Sequence, residues 1–95
     1  LASRIPFGEE ISSKRLHQIA RAEEWMIEQG FSKVRVRSQG LSARIELPAD
    51  EINNFLKIIE RNKLIEYFFS LGFHSVSLDL EGLISGKLTR DIKVN

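Results

Sequence analysis

The chain has 95 residues, 42% apolar and 28% charged, with 14 Lys and Arg against 13 Asp and Glu for a formal net charge of +1. A chain this short buries roughly 65% of the surface its unfolded form exposes, enough for one domain around one core, and its near-neutral balance exerts no general pull toward nucleic acid or an anionic membrane. Cysteine is absent and histidine occurs only as His17 and His74, which excludes a disulfide framework and a thiolate metal site within these residues. No apolar run approaches the length of a membrane span and no secretory signal pattern opens the chain, so a cytoplasmic location is expected.

In chain order, residues 1–12 carry Pro6, which biases Ile5 toward extended backbone, and Gly8, a turn former. A linker or short edge strand is expected there. Ser12 or Ser13 suits a helix N-cap. Leu16, Ile19, Ala20, Trp25, Met26 and Ile27 then recur at roughly helical spacing, and Gly30 is placed to stop the helix. The alternation in Lys33-Val34-Arg35-Val36-Arg37 predicts a strand, Ser38-Gln39-Gly40 a turn, and Leu41 to Leu47 a second strand, together a hairpin. Pro48-Ala49-Asp50-Glu51 opens a second helix, with proline near its first turn and acids at the positive end of the dipole. Its apolar residues run from Ile52 and Phe55 to Phe68 and Phe69, and Gly72 stops it. Ser75 to Leu80 predicts a third strand, with Val76, Leu78 and Leu80 on one face.

These elements divide the chain into a linker (1–12), a folded domain (13–82) and an irregular tail (83–95). The order is α-β-β-α-β. It predicts an α+β fold, a small two-layer sandwich with two helices on one face of a three-stranded sheet; a further strand near Ile5 would give the ferredoxin-like βαββαβ pattern with four. A faint repeat pairs Gly30-Phe31-Ser32-Lys33-Val34 with Gly72-Phe73-His74-Ser75-Val76. Shared helix-to-strand connection chemistry explains it better than duplication.

A two-layer sandwich leaves one sheet face open. Strand alternation places Lys33, Arg35 and Arg37, then Ser42, Arg44 and Glu46, then Ser75, Ser77 and Asp79 on that face. Arg35 and Arg37 are two residues apart on one strand, so their guanidinium groups can converge on one anion, and the forked donors of arginine suit phosphate oxygens. The bland alternative is a solvated face on which Arg44 and Glu46 form a cross-strand pair worth well under ~1 kcal/mol. Other candidates carry less. Glu23 and Glu24 are adjacent on a helix and point in different directions. His17 is expected at the surface or boundary, His74 in a structural role, Trp25 in the core. No glycine spacing forms a phosphate loop, and no nucleophile–base–acid set is present. The open face lacks an exposed aromatic pair on which RNA bases could stack. From the residues alone the chain is a small binding module, incomplete as a catalyst.

The opening Leu1-Ala2-Ser3-Arg4-Ile5-Pro6-Phe7-Gly8 resembles a segment of the PP-loop ATP pyrophosphatase superfamily, in particular the ATP-dependent sacrificial sulfur transferases of the LarE type. There the stretch reads Cys-Leu-Ala-Ser-Arg, an apolar residue, Pro, Tyr, Gly. The resemblance continues through Ala22-Glu23-Glu24, Gly30-Phe31, Val34-Arg35-Val36-Arg37, Ala43-Arg44-Ile45-Glu46 and Leu78-Asp79-Leu80-Glu81-Gly82, and so covers residues 1 to about 86. It implies that this chain is the C-terminal domain of a longer enzyme. An N-terminal PP-loop domain would bind ATP and magnesium and adenylate a substrate carboxylate. A cysteine immediately before the Leu-Ala-Ser-Arg segment would then supply sulfur, as in assembly of the nickel-pincer nucleotide cofactor. The partners implied are that PP-loop domain, a nucleotide-like anionic substrate and further copies in a homo-oligomer, with no nucleic acid and no membrane.

Carried over residue by residue, Ser3 and Arg4 would flank the sulfur donor, Arg35 and Arg37 would contact phosphate or another substrate anion, and Glu46 would belong to the same site or orient an arginine. Glu23 also matches a family position. The sequence departs from the family at Phe7, where Tyr is usual, at the Ser38-Gln39-Gly40 turn, where histidines are common, and after Gly82, where Leu83-Ile84-Ser85-Gly86-Lys87-Leu88-Thr89 replaces the family's Tyr-Arg-Ser-Gly-Ser-Met-Asn. The alternative to a sulfur transferase domain is a stand-alone module that binds a small anion or a protein without catalysis.

Overall fold

The computed structural model describes residues 12–84. Expectations for residues 1–11 and 85–95, including the strand near Ile5 and the roles of Ser3 and Arg4, lie outside the described residues. Within them the order is α1 (Ser13–Glu28), β1 (Arg35–Gln39), β2 (Ser42–Glu46), α2 (Ala49–Ile58), α3 (Arg61–Leu71) and β3 (Ser75–Leu78). The predicted two-layer α+β sandwich is present.

Ser12 caps α1: its side chain accepts from the Arg15 backbone N–H at 3.0 Å, satisfying one of the donors that a helix start leaves open. The helix ends in a Schellman closure. The Gly30 N–H donates to the Ile27 carbonyl and the Phe31 N–H to the Met26 carbonyl. α3 ends the same way, with Gly72 donating to Phe69 and Phe73 to Phe68. Both glycines take positive φ, +105° at Gly30 and +115° at Gly72, the left-handed turn this closure requires. In each case the aromatic after the glycine then drops into the core, where Phe31 and Phe73 are fully buried. The sequence repeat is therefore two copies of one helix-to-strand connection.

The hairpin pairs β1 with β2 antiparallel, with Val36 opposite Ile45 and Arg37 opposite Arg44. β3 adds to β2 in parallel, with Ala43 beside Val76 and Arg44 beside Ser77, to give the order β1-β2-β3. Because β2 and β3 bond directly, no strand fits between them. Val34, Val36, Ala43, Ile45 and Leu47 turn to the helices and form the core with Ala22, Met26, Phe31, Phe68 and Phe73. Phe31 meets Phe55 of α2 edge-on, Trp25 of α1 stacks on Tyr67 of α3, and the Arg15 guanidinium lies 5.1 Å from the Phe73 ring centre. These contacts tie the helices to each other and to the start of β3.

The first strand, expected at 33–37, is shifted to Arg35–Gln39, because Ser38 and Gln39 pair with Ala43 and Ser42 and the turn shrinks to Gly40 and Leu41. Three further sequence expectations need correction. The helix expected from Pro48 to Leu71 is two helices, broken where Ile59 adopts ψ 137° and Glu60 ψ 99°. The apolar stripe explains the break. Ile52, Phe55 and Ile59 keep helical spacing, but the next buried residue is Leu64, five positions on. A continuous helix would turn Asn62 or Lys63 toward the core instead. Second, Leu16 and Ile27 are about half exposed, and the buried residues of α1 are Ala22 and Met26. Third, Leu80 does not continue β3. The strand ends at Leu78, and a turn follows in which Asp79 Oδ1 accepts from the Glu81 N–H and the Gly82 N–H returns to the Asp79 carbonyl. Leu80 is consequently 78% exposed.

Candidate anion-binding face

The open face carries most of the polar residues that alternation placed there, in three cross-strand rows joined by Gln39, whereas Lys33 falls in the turn before β1 and outside the ladder. Gln39, Ser42 and Ser75 form one; Arg37, Arg44 and Ser77 the next; Arg35 and Glu46 the third. Asp79 follows β3 at the Glu46 end, and its backbone N–H donates to the Ile45 carbonyl. Antiparallel pairing sets Arg37 directly across from Arg44, a like-charged juxtaposition that is unfavourable without compensation.

Glu46 provides the compensation. It is only 4% exposed although its strand position faces away from the helices. Arg37 Nε donates to Glu46 Oε1 at 3.1 Å, and Arg44 Nη2 pairs with Glu46 Oε2 at 3.1 Å. One carboxylate thus bridges two guanidinium groups, one oxygen to each. Each arginine is held by a single edge. Arg37 keeps its two terminal amino groups outside this contact, and its side chain is 51% exposed. Arg35 stands opposite Glu46 in the register, is exposed, and forms no ion pair among the described residues. At the other end, the Ser42 and Ser75 hydroxyls lie 2.6 Å apart across β2 and β3.

The structure thus separates the candidates. Arg37 and Glu46 are in contact, and Arg35 lies on the same face within one two-residue strand step of about 7 Å. Glu46 is more than a solvated cross-strand partner, because it is buried and shared. Glu23 belongs elsewhere: its carboxylate accepts from the Val36 backbone N–H at 2.9 Å. It satisfies a donor of β1, which is an edge strand of the described sheet. Glu24 pairs with Arg21 at 3.0 Å, so the two acids indeed do not share a site. His17 is exposed and accepts from Arg21. His74 is exposed, and its backbone N–H donates to the Leu41 carbonyl at 2.7 Å. Trp25 is half-buried against Tyr67 rather than fully enclosed.

The donor set suits an anion. Three guanidinium groups face two carboxylates, one of which is already shared between two arginines. Among the described residues no group of three or more His, Cys, Asp or Glu could hold a metal ion. No helix among them is long and apolar enough to cross a membrane.

No protein-family model matches the chain. It is 46% identical over 90 residues to an uncharacterized protein of Synechocystis, an alignment covering 95% of this chain and 34% of that protein. It is 39% identical over 89 residues to the pyridinium-3,5-bisthiocarboxylic acid mononucleotide synthase of Lactiplantibacillus plantarum, covering 93% of this chain and 31% of that enzyme. The chain therefore spans about a third of the length of the curated relatives it matches. Both alignments extend over nearly all of the chain, so the similarity includes the whole open face.

Proposed function

We propose that this chain is the C-terminal domain of an ATP-dependent sulfur transferase of the nickel-pincer nucleotide type, and that its open sheet face holds the anionic part of a nucleotide-like substrate. The observation that carries the proposal is the Arg35–Arg37–Glu46 constellation, together with 39% identity across that region to an enzyme named for making a pyridinium mononucleotide. A phosphate needs several forked donors from one direction, and exposed arginines on alternate strand positions present them. Glu46 fixes Arg37 in advance, which lowers the ordering cost of binding.

In this reading ATP and magnesium belong to a PP-loop domain of the same polypeptide, which would activate the substrate carboxylate by adenylation. Sulfur would come from a cysteine outside the 95 residues. The residues described here bind and orient; none of them enters a covalent step. Ser3 and Arg4 would complete the site beside the sulfur donor, and assembly into a homo-oligomer in the cytoplasm would accompany it.

The test uses the full-length polypeptide that contains this segment, assayed for ATP-dependent pyrophosphate release with a carboxylated pyridine mononucleotide as acceptor. Arg35→Ala should raise the acceptor KM tenfold or more and leave the KM for ATP within twofold. Failure of the full-length protein to bind ATP would sink the proposal.

A further inference from the structure

Arg44 has a combination of features that neither its ion pairs nor its strand position explains. Its side chain is 32% exposed, yet its Nε–H is buried and makes no hydrogen bond. The nearest carboxylate on that side, Asp79 Oδ2, lies 3.9 Å away, too far for a hydrogen bond. A buried donor without a partner is costly and uncommon in a folded protein. Arg44 is central on the face, opposite Arg37 on one side and Ser77 on the other.

Arg44 is also the most constrained of the three arginines. Glu46 takes its Nη2, and Asp79 stands beside its Nε. Asp79 is itself anchored, because its second oxygen accepts from the Glu81 N–H and its carbonyl from the Gly82 N–H. Two carboxylates, one at the end of β2 and one just past β3, thus flank one guanidinium, Glu46 at Nη2 and Asp79 beside Nε.

We infer that Arg44 is a third anion-contacting residue of this face and that Asp79 is a positioning residue, which acts on the ligand only through Arg44. The inference rests on the anion-site reading above and deepens it. Arg35 and Arg37 come from one strand; Arg44 brings a donor from the adjacent strand, so a tetrahedral phosphate is gripped from two sides. The class of ligand implied is a phosphate monoester in its dianionic form. Three guanidinium groups set against two carboxylates would favour it over a monoanionic carboxylate.

The experiment follows the arginine Nε–Hε resonances of the 95-residue protein by 15N NMR during titration with inorganic phosphate. Arg44→Lys identifies the Arg44 signal. The Arg37 and Arg44 signals should move along one saturation curve. Arg44→Lys should weaken phosphate tenfold or more. Asp79→Asn should weaken it about threefold in the native background and not at all in the Arg44→Lys background, a dependence that a merely structural role for Asp79 would not produce. If the Arg35 and Arg37 signals titrate while Arg44 stays still, or if Asp79→Asn has the same effect in both backgrounds, the inference is wrong and the anion site survives without it. If no arginine signal moves, the anion-site reading falls and this inference falls with it.

Discussion

A carboxylate held between two guanidinium groups is costly to disturb. Removing its charge leaves Arg37 and Arg44 facing each other across the hairpin with nothing between them. A fully buried ion pair broken in this way costs about 3–5 kcal/mol. Arg37 is half exposed and Arg44 a third exposed, so solvent screening reduces the figure. Glu46→Gln should therefore lower unfolding free energy by about 1–2 kcal/mol, measured by urea denaturation, and should weaken phosphate binding as well. A variant as stable as the native protein would mean that Glu46 is not what holds the two arginines together. The period-two alternation revealed that Glu46 points to the open face. It did not reveal that the residue is buried there, because burial depends on tertiary packing that alternation does not encode. Asp79 shows the same limit. Its place on the open face was legible, whereas its nearness to Arg44 depends on a turn that ends β3 two residues before alternation alone would.

At the level of elements, the strong local signals were the readable ones. The cap at Ser12, the closures at Gly30 and Gly72, and the two hairpin strands all rest on neighbours within a few positions. The break between α2 and α3 carries no glycine or proline. Its signal was the five-residue gap from Ile59 to Leu64, which is visible only when the two apolar stripes are compared in phase. The β3 turn offers the clearest test of how closely elements approach. Gly82 has φ +90°, and a Cβ there would lie 2.8 Å from the Leu47 carbonyl oxygen and 3.1 Å from the Ala49 backbone nitrogen. Both neighbours are main chain at the junction of β2 and α2, where the Leu83 N–H also bonds to Leu47. Gly40 also has positive φ, at +58°, but nothing lies within 4 Å of its Cβ position. Gly40→Ala should cost about 1 kcal/mol from backbone conformation alone. Gly82→Ala should cost more than about 2 kcal/mol, since steric crowding adds to the same penalty. Thermal denaturation of both variants checks the order; equal losses would place Gly82 away from that junction.

For the molecule as a whole, the hydrophobic layer and the charged layer have separate tasks. Helices and the connections that leave them cover one side of the sheet with Met26, Phe31, Phe68 and Phe73, and that packing makes the strands rigid enough to present charges from the other side at fixed spacing. The chain aligns with about a third of the length of its curated relatives. Charged residues on the open face act over short distances through directed hydrogen bonds, which is why a near-neutral net charge is compatible with anion binding.

The most direct test of this account is calorimetric titration of the protein with a nucleoside 5′-monophosphate at low ionic strength, beside the Arg35→Ala/Arg37→Ala double variant. The account predicts saturable one-to-one binding that weakens as salt rises and that the double variant loses at least thirtyfold, with its melting temperature unchanged within a few degrees. Binding of equal strength in both proteins would contradict the account, because the nucleotide would then be held somewhere other than the open arginine face.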